Sequence, residues 1–192
     1  MNATRWTAVW LLVLTVCCVV ISLPAKADGY AADYSPDAHM SMAAQIDHYW
    51  FRAAKAGNLN TINTLIEVKF DLNRSDSKGY TALILAAYHG HEQVVDRLLQ
   101  AGANPCAKDK RGNTALMGAI FKAEVSIAKT LIAADCQVDQ PNHNGQTAAM
   151  YAALFGRTAL LKALEARGAN LDQSDGMGNT ARQISQGQLR TR

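Results

Sequence analysis

The 192-residue sequence lacks the short motifs that mark many families of enzymes. It contains no Gly-rich phosphate loop, no G-x-S-x-G nucleophile elbow and no H-E-x-x-H zinc-ligand pair. Two of its five histidines, His89 and His91, are close together at the predicted end of a helix, but they do not form a metal-ligand pattern. We therefore predict a protein that is not an enzyme and that holds no cofactor and no metal ion.

An excess of charge of one sign is also missing. The chain has 19 basic and 16 acidic residues, a formal net charge of +3, and a predicted leader would remove the basic residues Arg5 and Lys26. A surface this close to neutral gives no reason to expect a nucleic acid or an anionic membrane as a partner.

The longest hydrophobic run lies at the start of the chain. The first 27 residues contain Arg5, an apolar run over 9–23 and the small-residue sequence "AKA", which is the layout of a cleavable secretory signal. The run is shorter than the roughly 20 residues of a full membrane span. We expect cleavage between Ala27 and Asp28, with an uncleaved anchor as the alternative. The mature chain would then be periplasmic in a Gram-negative bacterium or secreted, without attachment to a membrane.

Cysteine is scarce, with four residues in all, and Cys17 and Cys18 would leave with the leader. The remaining Cys106 and Cys136 form an even pair, which in an exported chain is compatible with one disulfide. The alternative is that each is a separate small core residue, because a free cysteine packs well in a core.

The sequence does contain a regular repeat. Its markers are spaced 33 residues apart: Thr81, Thr114, Thr147 and Thr180, each preceded two positions earlier by Gly79, Gly112, Gly145 or Gly178. In the clearest copy the threonine can cap a short helix, "ALILAAYHG", and "HEQVVDRLLQAG" follows as a second helix with one apolar stripe. One such unit cannot bury its apolar face alone, so several must stack.

This unit resembles the ankyrin-repeat family, whose unit of about 33 residues has a T-P-L-H-x-A signature. The clearest copy is "DSKGYTALILAAYHGHEQVVDRLLQAGANPCAK" at 76–108, although the proline of the signature is alanine in every copy. The resemblance implies an all-α repeat fold, an ankyrin solenoid of helix-turn-helix units with projecting turns. We expect about four full units plus a truncated C-terminal cap, and His91 takes a structural place in the loop.

The repeat divides the chain into seven segments. In order, they are a signal peptide at 1–27, an N-terminal extension at 28–43, an N-capping repeat at 44–75, full repeats at 76–108, 109–141 and 142–174, and a truncated C-capping repeat at 175–192. Trp50 and Phe51 are expected to seal the N-terminal end of the stack. Cys106 and Cys136 follow the second helices of adjacent repeats, where a disulfide is possible.

The resemblance also implies that another protein binds to a concave surface made by the turns and the exposed side of the first helices. On this sequence the surface carries an apolar series one repeat apart: Tyr88, Phe121 and Leu154. The full set of expected partner-binding residues adds His89, Lys122, Phe155, Lys78, Tyr80, Lys110 and Arg111. The alternative is that each ring simply packs against its neighbour.

We predict a monomeric protein-binding module in which the apolar series anchors a partner and the basic residues Lys78, Lys110 and Arg111 attract an acidic one. Exported bacterial proteins of this family and size look like accessory proteins that support a periplasmic enzyme, such as an oxidative-stress enzyme. Others look like immunity proteins that neutralise a periplasm-targeted toxin. A binder of small molecules or metal ions that uses the concave groove is an alternative of another class.

Overall fold

The computed structural model describes residues 41–190, so the predicted signal peptide, its cleavage point between Ala27 and Asp28, and nearly all of the N-terminal extension lie outside the described residues. The described part is helical and contains no β-strand. Its helices are, in chain order, α1 (Met42–Ala56), α2 (Leu59–Glu67), α3 (Ala82–Tyr88), α4 (Glu92–Gln100), α5 (Ala115–Lys122), α6 (Val125–Ala133), α7 (Ala148–Leu154), α8 (Thr158–Ala166) and α9 (Ala181–Ser185).

The helices form five successive units, which we number 1 to 5: α1–α2, α3–α4, α5–α6, α7–α8 and the single helix α9. Each first helix contacts the first helix of the next unit, and the second helices of units 1 to 4 contact one another in the same way. The chain is thus a two-layered stack in which every unit is packed against its sequence neighbours, and the predicted helical solenoid is confirmed.

The recurring threonines begin the first helices of units 2 to 5, as predicted for Thr81. Each threonine hydroxyl accepts a hydrogen bond of 3.2 to 3.4 Å from the backbone N–H three residues later, at Ile84, Met117, Met150 and Gln183. This bond satisfies one of the free N–H groups at the start of a helix. It is made within one unit, and therefore the sequence alone was enough to predict it.

The turn before each of these helices is built by an aspartate or asparagine. In unit 2, Asp76 Oδ1 accepts from the N–H groups of Lys78 at 2.8 Å and Tyr80 at 2.9 Å. Gly79 has φ +82°, and a Cβ there would lie 2.7 Å from the backbone nitrogen of Lys110. Glycine is therefore required both by the left-handed backbone conformation and by the close approach of the next turn. The same carboxylate or amide bonds recur at Asp109, Asn142 and Asp175.

Backbone hydrogen bonds also join successive turns. The bonds run from Lys110 N–H to Lys78 O at 3.0 Å, from His143 N–H to Arg111 O at 3.0 Å, and from Gly176 N–H to Asn144 O at 2.9 Å. The turns of units 2 to 5 therefore form a continuous platform beside the first helices. This platform holds its side chains at a fixed spacing.

The two ends of the stack are closed differently. At the N-terminal end Trp50 is completely buried and its ring centroid lies 5.2 Å from that of Phe70, while Phe51 is half-buried against the core. At the C-terminal end the buried Asn179 side chain accepts from Arg190 N–H at 2.7 Å and donates to Arg190 O at 3.3 Å. The last described residues thus fold back onto the last turn.

Cys106 and Cys136 lie at disulfide distance, with a Cα–Cα separation of 5.6 Å. Cys106 follows α4 and Cys136 follows α6, so the bond joins units 2 and 3 at the ends of their second helices. The separation lies inside the range of about 4.4 to 6.8 Å that a disulfide requires.

Candidate functional site

The first helices and turns of units 1 to 3 enclose an open groove of about 730 Å³. Its walls are α1, α3 and α5 with the turns before α3 and α5, and Tyr151 of α7 closes one side. Six of the ten predicted partner-binding residues line it: Lys78, Tyr80, Tyr88, His89, Arg111 and Phe121. The other four, Lys110, Lys122, Leu154 and Phe155, do not line it.

Aromatic rings form a continuous row along the first helices. The rings of Tyr88 and Phe121 are stacked, with centroids 6.2 Å apart and an interplanar angle of 13°. Phe121 meets the ring of Phe155 edge-on at 5.2 Å, and Phe155 contacts Tyr151 at 6.1 Å. Tyr88 and Phe121 nevertheless remain 38% and 45% exposed. The rings therefore pack against their neighbours and also present apolar surface to the groove.

Leu154 lies away from this groove, in a second hollow of about 270 Å³ between units 4 and 5. It is 45% exposed. The apolar side chains that line the hollow with it are Met150, Met177, Ile184 and Leu189. Tyr151 lines both spaces, so the groove and the hollow are adjacent parts of one surface.

The charged side chains that are free to face the groove are basic. Arg52 and Lys55 come from α1, and Lys78 and Arg111 come from the turns; all four are exposed and line the groove. The acidic lining residues are Asp76 and Asp109, whose Oδ1 atoms each accept two backbone N–H groups of their own turns. Lys110 is exposed in the same turn as Arg111 but does not line the groove.

His89 lies in the groove within the electrostatic influence of two lysines, Lys55 and Lys122. Partial burial, followed by the charges of Lys55, His91 and Lys122, lowers the pKa of His89 below its ordinary value. Lys122 Nζ lies 5.3 Å from the centre of the Tyr88 ring, a cation–π distance. His91 has the structural place expected for it, because its Nε2 is 2.9 Å from the Lys55 carbonyl oxygen.

A hydrogen-bond network fixes the side of the groove next to unit 4. The Tyr151 hydroxyl donates to Asn113 Oδ1 at 3.2 Å, and Asn142 Nδ2 donates to the same oxygen at 3.0 Å. Burial raises the pKa of Tyr151, so its hydroxyl stays protonated and able to donate. The network joins the turn of unit 3 to the turn and first helix of unit 4.

Residues 41–190 contain neither a cluster of metal-ligating side chains nor a membrane-spanning helix. No group of three or more histidine, cysteine, aspartate or glutamate side chains in this part is placed to hold a metal ion. No helix in the same range has the length and apolar character needed to cross a bilayer.

Residues 50–142 match the family model for ankyrin repeats, in three copies. The match begins in α1 and ends where the turn of unit 4 starts. The chain contains ankyrin repeats. Unit 4, beyond the matched range, has the same threonine cap and the same turn bonds.

Similar stretches occur in other, longer proteins. Over 57 residues, 30% of the chain, the sequence is 44% identical to osteoclast-stimulating factor 1 of Monopterus albus, and this stretch covers 27% of that protein. Over 53 residues, 27% of the chain, it is 43% identical to ankyrin repeat and SAM domain-containing protein 6 of Rattus norvegicus, covering 6% of it. Over 50 residues, 26% of the chain, it is 48% identical to the 60 kDa lysophospholipase of Mus musculus, covering 9%. The chain thus spans about a quarter or less of the length of these relatives.

The ankyrin register accounts for four of the groove residues that the sequence analysis missed. One register, at 33-residue spacing, contains Arg52, Leu85, Gly118 and Tyr151, and all four line the groove. It lies three residues, about one helical turn, before the register of Tyr88 and Phe121, so both registers share one helix face. Extending the predicted surface by one turn would have found them.

Proposed function

We propose that this chain is a non-enzymatic module that binds another protein through its ankyrin groove. Ankyrin repeats generally mediate protein–protein interaction, and three copies form the walls of the groove. The observation that carries the proposal is the pair of stacked rings, Tyr88 and Phe121, which remain 38% and 45% exposed beside an open space of about 730 Å³.

The stacked rings have the properties of interface anchors. Aromatic side chains contribute much of the binding energy of protein interfaces, and truncation of a good anchor costs about 2 kcal/mol or more. Tyr88 and Phe121 are already held in position by each other and by Phe155. Little side-chain freedom would be lost on binding, which favours affinity.

The compartment we propose is the periplasm of a Gram-negative bacterium or the outside of the cell. Two features support it: the signal-like first 27 residues and the cysteine pair at disulfide distance, because disulfides persist in oxidising compartments. In that setting the chain would act as an accessory protein that supports or regulates a periplasmic enzyme, such as an oxidative-stress enzyme. N-terminal sequencing of the protein from a periplasmic fraction tests this proposal: a start at Asp28 supports it, and a start at Met1 contradicts it.

Affinity capture from the cell's own periplasmic extract tests the binding function. The native chain is compared with Tyr88→Ala/Phe121→Ala, and with the control Val68→Ala/Val125→Ala, whose valines are 68% and 42% exposed outside the groove. We expect the native chain and the control to capture the same protein in a fixed stoichiometric ratio. That protein, once purified, should bind the native chain directly. The groove variant should bind it more than about tenfold more weakly. Equal binding by the groove variant would show that the groove is not the binding surface.

A further inference from the structure

The surface made by the groove and the adjoining hollow changes its chemistry along the stack. Beside units 1 to 3 it carries four exposed basic side chains, Arg52, Lys55, Lys78 and Arg111. Beside units 4 and 5 the hollow is lined mostly by apolar side chains, and three of them are 43% to 47% exposed: Leu154, Met177 and Leu189. Tyr151 lies at the junction and lines both parts.

We infer that the occupant of this surface is a segment of a partner protein that has acidic residues beside a large apolar one. The acidic residues lie in the groove of units 1 to 3, and the apolar side chain enters the hollow of units 4 and 5. This inference rests on the proposed protein-binding function and adds the chemical class of the partner and its placement.

The electrostatic part of the argument depends on the balance of the charges that line the groove. The Oδ1 atoms of Asp76 and Asp109 are engaged by backbone N–H groups of their turns, at 2.8 to 2.9 Å. Against these two carboxylates the groove is lined by four exposed basic side chains, Arg52, Lys55, Lys78 and Arg111, so positive charge is in excess. A carboxylate that binds there gains charge-assisted hydrogen bonds, whereas a basic segment meets an excess of like charge and is disfavoured.

His89 supports the same conclusion through its surroundings. Its ring lies among Lys55, Lys122 and His91, so a cationic ligand would add to an existing repulsion and an anionic ligand would relieve it. The aromatic row beside these cations adds apolar contact area between the acidic positions. The groove therefore favours carboxylates that are interspersed with apolar groups.

The hollow fixes where the larger apolar residue lies. A space of about 270 Å³ lined by Met150, Leu154, Met177, Ile184 and Leu189 is large enough for an aromatic or branched aliphatic side chain. Methionine-rich linings adapt to the shape of what they bind. Because the hollow adjoins the groove at Tyr151, one continuous segment reaches both.

Fluorescence anisotropy of labelled peptides with the purified chain tests the inference. The first probe is a peptide with a run of glutamates next to a Phe-Leu pair, made with the glutamates before the pair and with the glutamates after it. The second probe has glutamine in place of each glutamate. The third has serine in place of the Phe-Leu pair. We expect one acidic-apolar order to bind, and both substitutions to weaken that binding by about tenfold or more. Added salt should lower the affinity of the chain for the glutamate peptide and leave its affinity for the glutamine peptide unchanged.

Two charge-reversal variants locate the site. Lys78→Glu/Arg111→Glu should lower affinity for the acidic peptide by about tenfold or more. The control Lys129→Glu/Lys162→Glu makes the same change in net charge on α6 and α8, where both lysines are exposed outside the groove, and should bind as the native chain does. Leu154→Ser should lower the affinity for the glutamate peptide that carries the Phe-Leu pair. It should have no effect on the affinity for the peptide that has serine in place of that pair.

The outcomes separate this inference from the proposed function. Absence of binding by the acidic peptides, equal binding of the glutamine peptide, or an equal loss in the control variant would overturn the inference. Tighter binding of single-stranded DNA than of the acidic peptides would also overturn it, in favour of a nucleic acid. The natural partner could fail to bind the variant Tyr88→Ala/Phe121→Ala and still bind Lys78→Glu/Arg111→Glu. In that case the protein-binding function stands, and the inference that the partner is acidic is wrong.

Discussion

Units 1 to 3 and units 4 to 5 are built from the same repeat registers, but they differ in surface chemistry and in how their end is closed. In the first region the register of Lys55, Tyr88 and Phe121 faces a basic groove, whereas its next member, Leu154, faces an apolar hollow. The first region is closed by the buried ring of Trp50. The second is closed by hydrogen bonds between the Asn179 side chain and the Arg190 backbone. A constant backbone therefore leaves each unit free to carry a different surface.

The closure at the C-terminal end follows the pattern of the internal units. Inside the stack Asn113 Oδ1 accepts a hydrogen bond from Asn142 of the next unit. At the last turn the corresponding Asn179 Oδ1 accepts from Arg190 N–H instead. The Arg190 backbone thus takes the place that the next unit's asparagine has at Asn113.

The largest effect is expected from Trp50→Ala. Removal of a completely buried tryptophan leaves a cavity at the N-terminal end, and the free energy of unfolding should fall by about 3 to 5 kcal/mol. Chemical denaturation measures this loss, and hydrogen exchange should increase first in α1 and α2. Met42→Ala, at a side chain that is 78% exposed, serves as the control. A loss below about 1 kcal/mol would mean that Trp50 does not close this end.

Removal of the disulfide should affect units 2 and 3 selectively. Cys106→Ser/Cys136→Ser removes a crosslink between residues 30 apart in sequence, and we expect the free energy of unfolding to fall by about 2 to 4 kcal/mol. Denaturation with and without reductant gives the same comparison in the native chain. Rapid alkylation of both thiols in the natively exported protein, without reductant, would contradict the bond.

A smaller effect is expected at the C-terminal end. Asn179→Ala removes the side-chain hydrogen bonds to Arg190 and to the Asp175 carboxylate at a fully buried position, so the free energy of unfolding should fall by about 1 to 3 kcal/mol. Hydrogen exchange should rise in α9 and leave α1 to α4 unchanged. Asn144→Ala, at an exposed turn position, is the matched control. Uniform loosening of all units would show that the two regions do not open independently.

The smallest effect is electrostatic and concerns the groove alone. Because Lys55 is the largest of the charges that lower the pKa of His89, Lys55→Gln should raise that pKa toward the ordinary value of 6.5. NMR titration of the His89 ring measures the change, and Lys162→Gln on α8 should leave it unaltered. In the native chain the folded state binds this proton less readily than the unfolded state. The stabilising contribution of neutral His89 is therefore fully present above about pH 6.5 and is lost as the pH falls below that value and through the lower pKa of the folded state.

Most of the fold could be predicted from the sequence, but only part of the candidate site could. The threonine caps, the aspartate turns and the helix pairs depend on bonds inside one unit, and the 33-residue spacing repeats them. Tyr88 and Phe121 were found because they share a register. Arg52 and Tyr151 were missed, since their register looks like an ordinary buried helix position, with Leu85 and Gly118 between them.

By itself, the sequence determined the repeat, its helices, its turns and the residues available at each register, because these depend on local hydrogen bonds and helical spacing. Tertiary structure alone decided which of those residues meet. Stacking brings Tyr88 onto Phe121, joins Tyr151 to Asn113, and places Leu154 in a hollow apart from both rings. The first two contacts join residues 33 and 38 positions apart in sequence, and only the packing of neighbouring units sets their distances.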